Sequence, residues 1–394
     1  MNITIYPHKL RGTLQAIPAK SQAHRLLICA AFADRETTLI CPETNQDIEA
    51  TAGCLGALGA TIQRIASGYQ VTPIKNAPVE AVLDCKESGS TLRFLLPIVG
   101  ALGVKGTFLL AGRLPQRPLS PLWEEMERMG CKLSRPTKNS ILCTGKLHSG
   151  EYTIDGGISS QFITGLLFAA ALMEGDSSLI ITGKLESLPY IQMTQQALAL
   201  FHVDTQEYRI KGNQSFSSPG TVLVEGDWSN GAFFLAANAL GSNIDISNLD
   251  PNSCQGDRAA AVLIPQLKNY CTISAANIPD LVPILCIVAA ANQGAVFTDI
   301  ARLRLKESDR VNSVIAMLNS LGIKARATEN TLTVQPGTFH GGHVDSFLDH
   351  RIAMAAAIAA TIANGPVSIK NANCVAKSYP IFWDEYTRLG GIYE

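Results

Sequence analysis

Six copies of one short pattern run through the chain, and this repetition constrains the fold more than any other feature of the sequence. Each copy begins with a small or acidic polar residue, continues through an apolar, alanine-rich run, and ends in a turn followed by a β-branched stretch. The copies begin at Ser21, Ser88, Ser159, Ser229, Asp280 and Asp349. A pattern that recurs at this scale predicts one supersecondary unit used six times.

A second pattern lies between the apolar runs: a polar helix that ends in glycine, followed by a predicted hairpin. Gly59, Gly130 and Gly322 stand where a helix C-terminus commonly has glycine, and apolar positions alternate around a polar turn after each of them. A fourth, looser example spans residues 198–224 and has His202 in place of the glycine. The two patterns together predict a mixed α/β (α+β) fold built from β-α-β-α-β-β units.

The number and spacing of the copies predict two domains. A chain of 394 residues is too long for one ordinary core. We expect residues 16–225 to form one domain with three copies, and residues 1–15 plus 226–394 to form the other. The segment ITIYPH near the N-terminus has the alternation of a strand and could complete the last copy. The chain would then cross between the domains near residues 15 and 225, in a two-strand hinge. The fourth copy, in the second domain, is too short for a hairpin and is expected to be trimmed.

Cationic residues lie close to the starts of the copies. The polar starts resemble helix N-caps, and helix N-termini attract anions through free N–H groups and the helix dipole. Lys20, Arg25, Arg93 and Arg351 lie within a few residues of these starts. The net charge is only -1, so no general basic field for nucleic acid exists. The sequence therefore predicts a local anion site assembled from several helix ends.

Other motifs are missing from the sequence. The ten cysteines form no C-x-x-C pair and no metal-ligand cluster with histidine, a pattern typical of reduced thiols. Neither a signal-peptide core, nor an apolar membrane span, nor a phosphate-binding glycine motif of nucleotide enzymes appears. We expect a cytoplasmic monomer that uses small-molecule substrates, with no metal, cofactor, nucleic acid or membrane partner.

Each charged motif has an ordinary interpretation when it is taken alone. The K-S-x-x-x-R segment at Lys20 could be a capped helix start, and Gly89 could belong to a turn. Lys306 and Arg310, four residues apart, are expected to share a helix face and to form an ion-pair network with Glu307. Taken together, charged and hydroxyl side chains gather at the first turns of helices whose bodies almost lack them.

The ordered set of these motifs resembles the EPSP synthase family of aromatic amino-acid biosynthesis. The matching segments cover the whole chain: AKSQAHR, DCKESGSTLRF, LPQRPL, SSQF, SLPY, IPD, LRLKESDR, DHRIAM and AKSYP. The resemblance implies two similar domains, each an inside-out α/β barrel of three βαβαββ units with helix N-termini facing the interdomain cleft. It also implies transfer of the enolpyruvyl group of phosphoenolpyruvate to the 5-hydroxyl of shikimate 3-phosphate, with release of phosphate. The product is 5-enolpyruvylshikimate 3-phosphate, in the shikimate pathway to chorismate.

The resemblance assigns site residues by position. On the shikimate 3-phosphate side they are Lys20, Ser21, Arg25, Ser159, Ser160, Ser187, Tyr190, Asp280 and Lys306. On the phosphoenolpyruvate side they are Lys20, Gly89, Arg117, Gln161, Arg310, Arg351 and Lys377. Arg93 and His350 fall in the same regions. The two substrates together carry about five negative charges, which Lys and Arg must neutralise in the absence of a metal motif.

The reaction needs proton transfers in both directions. Asp280 is the expected base for the 5-hydroxyl, and Glu307 is expected to donate and accept the proton at C3 of phosphoenolpyruvate, with Lys20 as a competing acid. Two positions depart from the family pattern. Glu87 stands where many members have asparagine, and we expect Lys86 or Arg93 to pair with it. Arg302 stands where some members have a polar ligand-contacting residue.

Two other functions remain alternatives. One is the related transferase that acts on UDP-N-acetylglucosamine, which usually has a cysteine in the loop corresponding to Arg113–Leu119; this loop has none. The other is a catalytically silent relative that only binds an anionic metabolite. The presence of both Asp280 and Glu307 argues against it, because simple anion binding would not need acids among the cations.

Overall fold

The computed structural model describes every residue from Met1 to Glu394. Its α-helices follow in chain order: α1 Lys20–Ala31, α2 Gln46–Ala57, α3 Gly89–Leu102, α4 Leu122–Arg128, α5 Ser160–Leu172, α6 Leu188–Leu200, α7 Trp228–Ala239, α8 Ala260–Gln266, α9 Val282–Ala291, α10 Arg310–Ser320, α11 His350–Ala360 and α12 Phe382–Arg388. Short 3-10 helices, such as Ala301–Leu305 and Ala372–Lys377, occur in the connections.

The β-strands are short. In chain order they are β1 Ile3–Tyr6, β2 Arg11–Gln15, β3 Thr37–Ile40, β4 Thr61–Ile65, β5 Gly68–Thr72, β6 Glu80–Asp84, β7 Lys105–Leu109, β8 Cys131–Ser134, β9 Ser140–Gly145, β10 Glu151–Asp155, β11 Ser177–Thr182, β12 Arg209–Ile210, β13 Thr221–Leu223, β14 Asn243–Ser247, β15 Cys271–Ser274, β16 Ala295–Thr298, β17 Ala325–Ala327, β18 Thr331–Val334, β19 Gly342–Asp345, β20 Val367–Lys370 and β21 Ile392–Tyr393.

The chain divides into two compact units. Unit 1 consists of Met1–Ala19 and Glu225–Glu394, and unit 2 of Lys20–Val224. The first crossing between them lies a few residues after the position near 15 that the sequence suggests. Within unit 1 the two crossing segments are hydrogen-bonded to each other, since the Ala19 N–H donates to the Glu225 carbonyl oxygen over 2.7 Å.

Six helices carry the apolar runs of the six copies: α1, α3, α5, α7, α9 and α11. They are apolar on nearly every side and form the cores of the two units; every residue of α11 is buried, as is every residue of α9 from Val282 to Ala290. A helix with no polar face must be covered all round, which accounts for these central positions. The alternate helices, such as α10, bury one face only. No helix has both the length and the apolar content that a membrane span needs.

The sheets repeat one arrangement, and this confirms the mixed α/β fold predicted from the sequence. Six parallel strand pairs occur: β13–β3, β6–β7, β10–β11, β2–β14, β15–β16 and β19–β20. In five of them an antiparallel strand lies on the other side of the second strand, namely β5, β9, β12, β18 and β1. The N-terminal strand β1 lies between β20 and β21, antiparallel to both.

The fourth copy lacks the antiparallel strand. Its strand β14 pairs only with β2, in a two-stranded sheet. After α8 the chain continues directly into β15, which pairs with β16 in the sheet of the next copy. The fourth copy therefore lacks its hairpin, as its length predicts.

Three of the six predicted N-caps are confirmed. Ser88, Ser159 and Asp349 cap α3, α5 and α11, each with a side-chain oxygen that accepts a backbone N–H from the first turn. The prediction was wrong for the other three copies. Ser21 lies inside α1, and α7 is capped by Asp227, which leaves Ser229 within the helix.

Asp280 is the third exception. The N-cap of α9 is Leu281, which makes no side-chain cap bond, and Asp280 precedes it. The Asp280 carboxylate is instead directed at arginine side chains of the same unit.

The predicted C-terminal glycines adopt the backbone conformation that glycine allows. Gly59, Gly130 and Gly322 have φ values of 106°, 107° and 84° and follow α2, α4 and α10. In the looser example, His202 takes up the same left-handed region with φ 60° after α6. This position therefore requires the left-handed backbone even where the residue is not glycine.

Candidate active site

The predicted site residues form two clusters, one in each unit. The first cluster, in unit 2, consists of Lys20, Ser21, Arg25, Gly89, Arg93, Arg117, Ser159, Ser160, Gln161, Ser187 and Tyr190. The second cluster, in unit 1, consists of Asp280, Lys306, Glu307, Arg310, His350, Arg351 and Lys377. Most members lie at or next to the first turn of a core helix or in the loops beside it.

Lys20 begins α1 and is held by an acid that the motifs do not include. Its Nζ donates to Asp47 Oδ2 over 3.0 Å, and Asp47 lies in the first turn of α2, largely buried. This ion pair joins the starts of two helices. It fixes the position of the Lys20 ammonium and balances part of its charge.

Arg25 is almost completely buried one turn further along α1. Its Nε donates to Thr194 Oγ1 over 2.8 Å, its Nη1 to the Ser21 carbonyl oxygen over 2.6 Å, and its Nη2 to the Tyr190 carbonyl oxygen over 2.8 Å. The guanidinium also lies 5.0 Å from the centre of the Phe94 ring. Arg25 therefore links α1 to α6 and fixes the backbone of Ser21 and Tyr190.

Gln161 and Arg93 connect α5 to α3. Arg93 Nη1 donates to Gln161 Oε1 over 2.8 Å, and Gln161 Nε2 donates to Ser90 Oγ over 2.9 Å. Gly89 lies directly against the neighbouring guanidinium groups, because a Cβ atom there would stand 2.6 Å from Arg117 Nη1. The missing side chain at residue 89 is what admits the Arg117 side chain.

The hydroxyl residues of the first cluster lie at two other helix starts. Ser159 caps α5, and its Oγ accepts the Gln161 N–H over 3.3 Å, while the neighbouring Ser160 is buried in the first turn. Ser187 precedes α6 with a left-handed φ of 57°, and Tyr190 follows in the first turn of that helix. A non-glycine residue in this region is uncommon and marks a constrained backbone.

Arg310 is the centre of the second cluster. Its Nε donates to Asp349 Oδ2 over 2.8 Å, its Nη1 to Asp280 Oδ1 over 2.5 Å, and its Nη2 to Glu307 Oε2 over 2.9 Å. The predicted ion pair between Glu307 and Arg310 is thus confirmed. One buried guanidinium orients three carboxylates that come from three different segments of the chain.

The Asp280 carboxylate is surrounded by positive charge. Burial alone would raise its pKa, but Lys306, Arg310 and Arg351 outweigh that effect and hold the pKa well below its usual range. Lys306 Nζ lies 3.7 Å from Asp280 Oδ1, and Arg351 Nη2 lies 3.8 Å from Asp280 Oδ2. Asp280 is therefore ionised at neutral pH.

Lys306 and Arg310 do not share a helix face, so that expectation was wrong. Lys306 follows the 3-10 helix Ala301–Leu305 in an extended conformation, and α10 begins only at Arg310. Both side chains nevertheless reach Asp280. Burial lowers the pKa of Lys306 to about 8, and the Asp280 carboxylate opposes this shift.

Arg351 is buried in the first turn of α11 and lies against α7. Its Nη1 donates to the Ser229 carbonyl oxygen over 2.9 Å, and the guanidinium lies 5.8 Å from the centre of the Phe233 ring. His350 lies beside it, with Nδ1 3.8 Å from Asp349 Oδ1. Lys377 is buried at the end of the 3-10 helix Ala372–Lys377.

Glu87, the first departure from the family pattern, packs against a glycine. The Glu87 carboxyl group lies against Gly112, where a Cβ atom would stand 2.4 Å from the Glu87 carboxyl carbon. Of the two partners expected for Glu87, which were Lys86 and Arg93, Lys86 instead forms an exposed ion pair with Asp84. Arg302, the second departure, belongs to the 3-10 helix that precedes Lys306.

Sequence reasoning missed two acids that bond to groups at these helix starts. Asp47 pairs with Lys20, and its position in the first turn of α2 after a capping asparagine was a signal that could have been used. Asp257 lies in the 3-10 helix Gly256–Ala259 and accepts a hydrogen bond from Ser229 Oγ. Its neighbours along the chain give no indication of this contact.

Comparison with known proteins identifies the same family as the sequence motifs. The sequence profile of the EPSP synthase family (3-phosphoshikimate 1-carboxyvinyltransferase) matches residues 5–386. The chain is 38% identical to the 3-phosphoshikimate 1-carboxyvinyltransferase of Clostridium beijerinckii, over 100% of this chain and 98% of that protein. It is also 38% identical to that of Clostridium perfringens, over 99% and 98%.

The fold is also similar to that of a solved structure. The EPSP synthase from Acinetobacter baumannii matches with a TM-score of 0.82 at 22% identity, over 100% of this chain and 99% of that one.

Proposed function

The chain belongs to the EPSP synthase family, and we propose that it transfers the enolpyruvyl group of phosphoenolpyruvate to the 5-hydroxyl of shikimate 3-phosphate, releasing phosphate. The observation that carries the proposal beyond family membership is the second cluster, in which the Asp280 carboxylate lies within reach of Lys306, Arg310 and Arg351. We further propose that the protein acts as a cytoplasmic monomer, with no metal or nucleotide cofactor.

The charges of the two clusters suit two anionic substrates. Each substrate carries one carboxylate and one phosphate, so together they bring about five negative charges at neutral pH. In unit 2 the cations are Lys20, Arg25, Arg93 and Arg117, and in unit 1 they are Lys306, Arg310, Arg351 and Lys377. Several already hold carboxylates of the protein, so they are oriented before a ligand arrives.

Residues of both units are assigned to the same pair of substrates. We propose that Lys20, Ser21, Arg25, Ser159, Ser160, Ser187, Tyr190, Asp280 and Lys306 contact shikimate 3-phosphate. We propose that Lys20, Gly89, Arg117, Gln161, Arg310, Arg351 and Lys377 contact phosphoenolpyruvate. Both clusters must then serve one reaction, and the crossings at residues 19–20 and 224–225 would act as the hinge.

Asp280 is the proposed base for the 5-hydroxyl. Its pKa in the free protein is held too low for an efficient base, because three cations stabilise the carboxylate. Substrate anions that bind Lys306, Arg310 and Arg351 share this positive charge. The pKa of Asp280 then rises, and the carboxylate becomes better able to accept the hydroxyl proton as the oxygen bonds to C2 of phosphoenolpyruvate.

The proton at C3 needs a separate donor and acceptor. Glu307 is oriented by its hydrogen bond to Arg310 Nη2, and we propose that it protonates C3 as the tetrahedral intermediate forms. The same group then removes a proton from C3 while the C2–O bond to phosphate breaks. Lys20, fixed by Asp47, is the alternative acid. Positive charge that develops at C2 is stabilised by the carboxylates of Asp280 and Glu307.

Phosphate release by the purified protein tests the function. Phosphoenolpyruvate is supplied alone, with shikimate 3-phosphate, or with UDP-N-acetylglucosamine as the control acceptor, and no metal or nucleotide is added. Release that depends on shikimate 3-phosphate supports the proposal, and release with the control acceptor assigns the other transferase activity. Binding of shikimate 3-phosphate without release with either acceptor identifies a catalytically silent relative.

A further inference from the structure

A buried carboxyl group that the reaction does not use is connected to Arg351 through Ser229. Asp257 is 1% exposed and belongs to the 3-10 helix Gly256–Ala259 of the shortened fourth copy. Its Oδ2 accepts a hydrogen bond from Ser229 Oγ, and its Oδ1 has no hydrogen-bond partner. An ionised carboxylate with an unsatisfied buried oxygen is costly, so this geometry favours the protonated acid.

The contacts of Ser229 connect Asp257 to the second cluster. The Ser229 hydroxyl donates to Asp257, and the Ser229 carbonyl oxygen accepts Arg351 Nη1 over 2.9 Å. The segment that carries Asp257 is attached to the same helix start, because Gln255 Oε1 accepts the Trp228 N–H over 3.0 Å. The side chain of Asp257 is therefore fixed relative to the guanidinium of Arg351.

We propose that Asp257 is a positioning residue for the phosphoenolpyruvate site, which binds its anion best when the Asp257 carboxyl group is protonated. The proposal rests on the proposed function, in which Arg351 contacts phosphoenolpyruvate. A neutral Asp257 leaves the charge of Arg351 to the substrate. An ionised Asp257 adds a second carboxylate, besides Asp280, that competes for that charge.

The charged groups that face Asp257 act in both directions. The net effect is a pKa raised to about 7, chiefly by burial and also by Asp280, before α9, and Asp227, at the start of α7. Arg351, from α11, lowers the pKa, as does the hydrogen bond from Ser229. Arg258 on the same 3-10 helix is exposed. Asp257 therefore changes charge in the neutral range, and an anion bound beside it shifts the group toward the protonated form.

The test compares Asp257→Asn, a neutral variant of the same shape, with wild type between pH 6 and 8.5. The wild-type KM for phosphoenolpyruvate should rise roughly 3- to 10-fold over this range as Asp257 loses its proton, and the variant should show most of this rise abolished. At each pH, the KM for shikimate 3-phosphate and the kcat of the variant should differ little from those of wild type. A variant with the wild-type dependence of KM on pH, or with a loss confined to kcat, overturns the proposal.

Proton uptake gives a second readout. Phosphoenolpyruvate alone is titrated into the protein at pH 7 by calorimetry, in two buffers with different ionisation enthalpies. Binding should take up as much as about half a proton more in wild type than in Asp257→Asn, because a group with a pKa of about 7 is half protonated there. Protons taken up by the phosphate of the substrate are the same for both proteins, so they cancel when the uptake by the variant is subtracted from the uptake by wild type. Equal uptake by the two proteins contradicts the proposal.

Two more variants separate charge from structure. Asp245→Asn makes the same change at an exposed position of β14, and it should behave as wild type. Ser229→Ala removes a hydrogen bond that lowers the pKa of Asp257, so the rise in KM should begin at higher pH. A rise that begins at lower pH contradicts the assignment.

If wild type itself shows no turnover, the proposed function fails. Normal wild-type turnover with an unchanged pH profile in Asp257→Asn refutes only the positioning role of Asp257.

Discussion

The Nε group of Arg310 donates to Asp349 Oδ2 over 2.8 Å, in an ion pair whose side chains are 2% and 0% exposed. Asp349 has a second role, because its Oδ1 accepts the backbone N–H of Arg351 and caps α11. One carboxylate thus fixes the guanidinium at the centre of the second cluster and the helix start that carries Arg351.

Asp349→Ala should therefore destabilise the protein by about 3–5 kcal/mol, since it leaves the Arg310 charge buried with one partner fewer and removes a helix cap. Urea unfolding followed by circular dichroism measures the loss. The control is Lys370→Ala, which breaks the exposed pair between Asp345 and Lys370 and should cost less than about 1 kcal/mol. Similar losses for the two variants would show that burial of the first pair contributes nothing.

Asp280→Ala should retain binding of both substrates while turnover falls by roughly 10² to 10⁴, as expected for loss of a general base. Binding should not weaken, because Lys306, Arg310 and Arg351 lose a competing carboxylate. Steady-state kinetics and calorimetric binding of shikimate 3-phosphate separate the two effects, with Asp345→Ala as the control. Wild-type turnover in the variant would exclude Asp280 as the base.

Shikimate 3-phosphate binding should weaken above pH 8. Burial lowers the pKa of Lys306 to about 8. The side chain is therefore positively charged below pH 8 and loses this charge as the pH rises above it. The KM for shikimate 3-phosphate should rise about tenfold from pH 7 to pH 9. Lys306→Arg keeps its charge and should flatten this rise, whatever its effect at pH 7. An equal rise in the variant would assign the dependence to another group.

Gly89→Ala should raise the KM for phosphoenolpyruvate at least about tenfold, which corresponds to about 1.4 kcal/mol. The new methyl group would stand 2.6 Å from Arg117 Nη1 and 3.0 Å from Arg93 Nη1, so the Arg117 side chain must move. Kinetics with each substrate varied in turn measures the effect, and the KM for shikimate 3-phosphate should change less than twofold. Gly53→Ala in α2 is the matched control, because nothing lies within 4 Å of its Cβ position. A KM for phosphoenolpyruvate that changes equally little in both variants would contradict the steric argument.

The helices and their order could be predicted from the sequence because each core helix is a continuous apolar segment. Half of the N-caps could be predicted as well, since Ser88, Ser159 and Asp349 act through backbone groups two or three residues away. Such local contacts depend on neighbours that the sequence itself displays.

Contacts between distant segments could not be predicted in this way. Lys306 and Arg310 were expected on one helix, but the turn at residues 306–309 separates them and Asp280 reunites them. Asp47 and Asp257 were missed because their partners, Lys20 and Ser229, are 27 and 28 residues away. Acidic residues are normally expected at the surface, and no period or spacing in the sequence shows which of them will be buried against another helix start.

The shortened fourth copy leaves one strand edge that a side chain covers. In the other five copies an antiparallel strand lies beside the second parallel strand, but β14 pairs only with β2. The Ile244 N–H of β14 donates to Asn238 Oδ1 over 2.8 Å, and Asn238 Nδ2 donates to the Ile244 carbonyl oxygen over 2.8 Å. The carboxamide at the end of α7 thus makes both hydrogen bonds that a neighbouring strand would make at this residue.

Asn238→Ala should therefore destabilise the protein by about 1–3 kcal/mol, because it leaves a backbone donor and acceptor of Ile244 without their partner. It should also promote association, since an unpaired strand edge can pair with that of another molecule. Thermal unfolding and light scattering across a concentration series measure the two effects. The control is Asn292→Ala, which removes one hydrogen bond to the Val288 carbonyl oxygen and leaves the strand edge covered. If Asn238→Ala were as stable and as monodisperse as this control, the carboxamide would not be what closes the edge of the shortened copy.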